Sequence, residues 1–184
     1  MNILAMDTSS TKLSLAVARN GTVLTYRNFP ANKSLSTSII ANIDKVLNNV
    51  HLSLDKIDGF AVGLGPGSFT GLRVGLATLK GLAFANNKPV IGISSLDIIA
   101  NGIKSSDKDQ HICVITDARR NLVYWAVFKK VNGQLTKVVP YRLSSIDQVC
   151  QEITYDVIFV GVAVKIYKSQ ILSQKKDKIS FQFA

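Results

Sequence analysis

The stretch "GLGPGSFTGLRVGLATLKG", Gly63 to Gly81, holds six glycines and runs from a glycine–proline turn straight into a small-residue helix. Glycine-rich turns before helices often hold phosphate, because the first helix amides point at the anion. This one is not a Walker loop, since no Lys-Ser/Thr pair follows the glycines. Nor does it fit Gly-x-Gly-x-x-Gly: Gly65 and Gly67 match, but position 70 is threonine. Gly65-Pro66-Gly67 predicts a tight turn with Ser68 capping the helix behind it, and a phosphate or substrate carboxylate there stays open. Inside the helix, Gly71, Gly75 and Thr78 are spaced by four and three and share a face. A helical glycine costs about 1 kcal/mol relative to alanine, and contact with water does not return it. The expected compensation is close approach by another backbone, either the sheet beneath or a helix of a second molecule. Leu72, Leu76 and Leu79 form an adjacent apolar stripe, so two-sided packing is expected.

Upstream, 2–6 reads as a short buried strand. "KLSLAVAR" (12–19) alternates Leu13, Leu15 and Val17 with smaller residues, the period of a half-buried strand. Asn20-Gly21 is a strong hairpin turn, and 22–29 returns as a third strand. Leu35, Ile39, Ile43, Val46, Leu47 and Val50 fall at helical spacing, with Ser34 placed to cap. An apolar strand at 56–65 feeds the glycine turn, and the helix covers about 68–86. A strand at 89–93 and a short helix from Ser94 or Ser95 to Gly102 complete the order βββαβαβα. "NGIKSSDKDQ" (101–110) reads as a linker between a first lobe, 1–103, and a smaller second lobe, 104–184.

Beyond the linker the pattern restarts. Asp7 precedes Ala16-Val17 by nine and ten residues, and Asp117 precedes Ala126-Val127 by the same distances, an offset of 110. Both segments then reach an Asn-Gly turn, at 20–21 and at 132–133. Two related α/β lobes, each opening with a β-hairpin, resemble the actin-like ATPase and sugar-kinase superfamily, with its RNase H-like (ASKHA) lobes. In those enzymes the first turn is Asp-x-Gly-Thr or a relative, and hairpin amides hold phosphate near a metal-binding Asp. Here the first turn is "DTSST" (7–11), with serine at the glycine position. The second lobe has "DARRN" (117–121) where a kinase needs a glycine-rich turn; Arg119-Arg120 can neutralise an anion, but the backbone cradle is missing. Asp7, Ser9, Ser10 and Asp117 are therefore the candidates for a vestigial nucleotide pocket. The competing reading is that Asp7 caps a turn.

Composition narrows the rest. The chain has 184 residues, 47% of them hydrophobic and 18% charged, which fits a globular protein with a sizeable core. "MNILAMDTSS" has no basic region followed by an apolar run, so it does not read as a secretory signal. The longest uncharged stretch, Gly59 to Leu72, is 14 residues broken by Gly and Pro, too short for a membrane span. Cys113 and Cys150 suggest neither a disulfide framework nor a metal knuckle, and a reducing cytoplasm is expected. Neither His51 nor His111 sits in a metal-ligand pattern, and no Gly-x-Ser-x-Gly elbow is present. The net charge of +10 permits contact with nucleic acid. The basic residues are scattered apart from "SQKKDK" (173–178), with no aromatics alternating among them as a stacking platform.

In order, "ILAMDTSSTKLSLAV", "AVGLGPGSFTGLRVGLATLKGLA", "PVIGISSLD" and "DARRNLVYWAVF" are similar to the TsaB (YeaZ) family, over about residues 3–128. The resemblance is most specific in "GPGSFTGLR". It implies two actin-like lobes without a working kinase site, no catalytic residues, no cofactor and no metal. It implies a non-catalytic partner of TsaD, acting with the ATPase TsaE to threonylcarbamoylate the adenosine beside the anticodon of tRNAs reading codons that start with A. The glycine helix then serves assembly with TsaD or with a second copy, through Leu35, Ile39, Gly71, Leu72, Gly75, Thr78, Leu79 and Leu82. The competing functions are an active small-molecule kinase or ATPase of the same superfamily, and a peptidase. This chain departs from the family in having Leu35-Ser36-Thr37 where a His is frequent, Asn121-Leu122 where Gly-Glu is usual, and an end at "ISFQFA" that is shorter than usual.

Overall fold

The computed structural model describes residues 1–31, 34–103, 110–131, 134–174 and 179–182. The Asn132-Gly133 turn, most of the linker and most of "SQKKDK" lie outside the described residues. Two compact units form, Met1–Ser95 and Leu96–Ala184.

The first unit opens with β1 (Asn2–Asp7), β2 (Lys12–Arg19) and β3 (Thr22–Pro30), followed by α1 (Leu35–Asn48). Then come β4 (Gly59–Gly63), α2 (Phe69–Ala85) and β5 (Val90–Ile93), after a 3-10 turn at Leu54–Lys56. The strands lie in the order β3-β2-β1-β4-β5, with β1, β2 and β3 antiparallel and β1, β4 and β5 parallel. Asn20 and Gly21 both take positive φ (52° and 83°), as the two-residue hairpin turn requires. Ser34 occupies the N-cap position of α1, but its side chain makes no capping hydrogen bond. Its ψ of 10° lies outside the extended range from which a cap oxygen reaches the helix amides.

In the core of this unit, Leu35, Ile39, Ile43, Val46 and Leu47 of α1 and Leu79 and Ala83 of α2 pack with Leu4, Met6, Leu13, Leu15, Phe60 and Val62 of the sheet. β4 is buried at all five positions, as a central parallel strand is.

The second unit repeats the plan. It contains β6 (His111–Arg119), β7 (Leu122–Val131), β8 (Gln134–Ser145), α4 (Ile146–Glu152), β9 (Val157–Val160), α5 (Val164–Gln174) and β10 (Ile179–Gln182). Its order, β8-β7-β6-β9-β10, is that of the first sheet shifted by five strands. The smaller size of this unit, 89 residues against 95 by those bounds, does not reach the sheet. Its core has two parts. Cys113, Ile115, Trp125, Val127 and Phe159 pack with α4 and α5. Ile112, Val114, Ala126, Phe128 and Val160 pack with Leu96 and Ala100 of α3 (Ser95–Asn101) and with Ile103. The structural division thus falls eight residues before position 103, because α3 lends its apolar side to the second sheet.

The edge strands are irregular or short. β2 and β3 slip register between Val17 and Ala18, and β3 ends in Pro30. β7 and β8 slip twice near Val127, and β8 contains Pro140. β5 and β10 have four residues each.

The two sides of α2 differ sharply: Leu79 is fully buried, whereas Leu76 is 37% exposed. Leu79→Ala is expected to lower the unfolding free energy by about 2–5 kcal/mol in urea denaturation. Leu76→Ala is expected to change it by no more than about 0.5 kcal/mol.

Candidate functional site

The turn after β1 and the glycine stretch form one constellation. Asp7 Oδ1 accepts hydrogen bonds from the Ser9 backbone N–H at 2.9 Å and the Ser9 hydroxyl at 2.6 Å. Asp7 Oδ2 accepts from the Ser95 hydroxyl at 2.7 Å, and the Ser95 oxygen in turn accepts from the Gly65 amide at 3.2 Å. The Ser68 N–H bonds the Ser9 carbonyl at 2.7 Å, and the Ser95 N–H bonds the Gly65 carbonyl at 2.8 Å. One carboxylate therefore ties together the β1–β2 turn, the glycine turn and the end of β5. Ser10 stands apart from this network: its hydroxyl accepts from the Lys12 amide at 3.1 Å.

The glycines make room for this turn. A Cβ on Gly71 would overlap the Thr8 carbonyl, and one on Gly75 would overlap the Thr8 hydroxyl. Gly63 and Gly67, eight and four residues before Gly71, are filled in the same way by the Asp7 carboxylate and by Ser9. The close backbone approach expected of the small-residue face is thus made within the chain, by Thr8. Ser68 caps α2 as the sequence suggests, its Oγ accepting from the Gly71 amide at 3.2 Å.

The residues expected at a partner surface fall into two groups by burial. Leu35, Ile39, Gly71, Gly75 and Leu79 are buried inside the first unit; Leu72, Thr78 and Leu82 are half-buried, and Leu82 packs on the core. The exposed side of α2 carries other residues, Phe69 (67% exposed), Arg73, Leu76, Lys80 and Phe84 (90% exposed). Arg73 stacks over the Phe69 ring at 3.8 Å. Phenylalanines at i and i+15 with leucine at i+7 lie on one helical stripe, a signal present in the sequence beside the more conspicuous glycines.

In the second unit Asp117 repeats the local geometry of Asp7. Its Oδ1 accepts from the backbone N–H two residues on, Arg119, at 2.9 Å. The rest of the turn differs: Arg119, Arg120 and Asn121 all take positive φ, at 67°, 52° and 60°. Asn121 tolerates that backbone, as the sequence suggests; the arginines do so against their preference. Among the described residues no group of three or more His, Cys, Asp or Glu side chains gathers to hold a metal. No described helix is long and apolar enough to cross a membrane.

Two sheets of identical topology, each opening with an antiparallel hairpin whose first strand reaches an aspartate, define an actin-like two-lobed protein. YeaZ from Pseudomonas aeruginosa has the same fold, with a TM-score of 0.83 over 100% of this chain and 84% of that one at 23% identity. Residues 30–184 match the family model described as TsaD, tRNA N6-adenosine threonylcarbamoyltransferase. The chain is 33% identical over 175 residues to TsaB of Bacillus subtilis, covering 93% of this chain and 75% of that protein. It is 36% identical over 152 residues to TsaB of Haemophilus influenzae, covering 82% of this chain. It spans 64% of the length of the Haemophilus protein. The chain belongs to the TsaB family. Both of those relatives carry the name tRNA threonylcarbamoyladenosine biosynthesis protein.

Because Gly75 faces Thr8, Gly75→Leu is expected to overpack the interior, lowering stability by roughly 1–3 kcal/mol and the melting temperature with it. Gly75→Ala is expected to destabilise less, and adding Thr8→Ala removes the nearest obstructing atoms. A double-mutant cycle on thermal melts should therefore give less than the sum of the two single effects. Strict additivity would separate the two residues.

Proposed function

We propose that the chain is a non-catalytic partner of a TsaD-type transferase, in the threonylcarbamoylation of the adenosine beside the anticodon of tRNAs that read codons starting with A. The observation that carries the proposal is the two-sided helix α2. Its glycine side is filled by the chain's own first turn, while its outer side presents Phe69, Leu76 and Phe84 to solvent, flanked by Arg73 and Lys80. Exposed aromatics interleaved with arginine are the composition of an interface core. The names of the TsaB relatives and the match to the TsaD family model support the choice of pathway and of partner.

The same reading makes a TsaE-type ATPase and tRNA members of the assembly. A second copy of this chain is the occupant of α2 when TsaD is absent. The compartment in this proposal is the cytoplasm, where the two buried cysteine thiols, Cys113 and Cys150, stay reduced. A passive role fits the vestigial pocket, since Asp7 spends its oxygens on Ser9 and Ser95, and the Asp117 turn has arginines where a phosphate cradle has glycine. Removing Asp7 then disturbs structure before chemistry. Asp7→Ala leaves three donors without their acceptor and is expected to reduce stability by about 1.5–3 kcal/mol, read by urea denaturation. The isolated chain is expected to show no ATP turnover; stoichiometric consumption abolished by Asp7→Ala would overturn the passive role.

The direct test is co-purification with the TsaD-type protein, followed by a tRNA modification assay. Leu76→Asp combined with Phe84→Asp is expected to weaken pairing at least tenfold and abolish modification, with the melting temperature of the chain unchanged. Wild-type pairing by that double variant would move the interface elsewhere.

A further inference from the structure

The turn between β6 and β7 has a chemistry that the pairing surface does not use. Arg119, Arg120 and Asn121 are three successive residues in the left-handed region, where a β-carbon crowds the following carbonyl. Glycine would sit there freely, and the chain instead places two arginines. The geometry is held locally: Asp117 accepts from the Arg119 amide, β6 and β7 slip register between Asp117 and Arg119, and the Arg119 Nε lies 3.8 Å from the Asp117 carboxylate. That carboxylate offsets one guanidinium. Arg120 is exposed and has no ion-pair partner among the described residues. The turn therefore ends in a cation projected into solvent by an unfavourable backbone.

An exposed aromatic follows on the strand that leaves the turn. Arg119 pairs across the hairpin with Leu122, and Tyr124 stands on the same strand face as Leu122, one two-residue repeat or about 6.6 Å further on. Tyr124 is 38% exposed and pairs on its other side with Leu143, itself 51% exposed. The basic residues of the sequence lack an alternating aromatic platform, yet the strand that leaves the turn carries an exposed aromatic, Tyr124, four residues after the exposed Arg120.

We propose that this turn contacts the single-stranded part of a tRNA, with Arg120 on a backbone phosphate and the Tyr124 ring against an adjacent base. Phosphate contacts from arginine with bases stacked on aromatic rings are the usual chemistry of single-stranded RNA binding. The net charge of +10 favours the encounter. The inference rests on the tRNA reading above and assigns it a surface, separate from the partner-binding side of α2.

The test measures binding of a fluorescent, unmodified tRNA transcript to the full chain, alone and with its TsaD-type partner, across a salt series. Arg120→Gly is the informative variant, because relief of the left-handed strain should raise the melting temperature while affinity falls. The expected result is three- to tenfold weaker binding and a slope of log K against log salt reduced by about 0.7–0.9, one phosphate contact. Arg120→Lys should keep the slope. Tyr124→Ala should weaken binding severalfold at unchanged slope, and Tyr124→Phe should restore it. Unchanged affinity and slope in Arg120→Gly would overturn the proposal, as would a wild-type chain that binds no tRNA in either setting. Displacement of tRNA by free ATP, with Arg120→Gly losing both, would overturn it in favour of a nucleotide site. Pairing with the TsaD-type protein is read separately, so its loss would sink the functional reading and leave this contact standing.

Discussion

The carboxylate of Asp7 holds the first unit in register. It accepts three hydrogen bonds, two from Ser9 and one from Ser95, a residue 88 positions away in the chain. Through Ser95 it also fixes the Gly65 amide, so the hairpin turn, the glycine turn and the exit from β5 share one anchor. Bonds to an ionised acceptor are each stronger than neutral ones. The arrangement leaves no room for a side chain at Gly63, where a β-carbon would collide with the Asp7 carboxyl group. The glycine series is the complement of that anchor: remove either and the other loses its purpose.

Duplication places an aspartate with the same two-residue reach in each unit, and the two have diverged around it. In the first unit the turn is drawn inward, with Thr8 buried against α2. In the second it turns outward, ending in exposed arginines. The same two-residue reach of an aspartate thus serves a packed turn in one unit and a charged, exposed turn in the other.

Much of this was readable from residue order. Strand and helix positions followed from period and turn chemistry: Asn20-Gly21 for the hairpin, Ser68 for the cap of α2, the Asp7 and Asp117 spacing for the duplication. The small-residue face of α2 was also legible as a close-approach face. What it approached was not, because Thr8 and Gly75 are 67 positions apart in the chain and a one-dimensional pattern carries no partner. Leu79 and Leu76 looked alike in sequence, yet the fold buries one completely and leaves the other exposed. Ser34 shows a smaller limit, since a serine in the cap position works only when its backbone is extended. The strained arginines were invisible as strain, because left-handed backbone at arginine has no compositional signature.

Both sheets are open, and each leaves two rims of unpaired peptide groups. Such rims invite growth by strand addition from neighbouring chains. Here the long rims, β3 and β8, contain proline and are bent by slips in register, and the short ones, β5 and β10, offer only four residues each. Strand addition between copies is thereby disfavoured at all four rims, and with it the templating of fibrils by the folded chain.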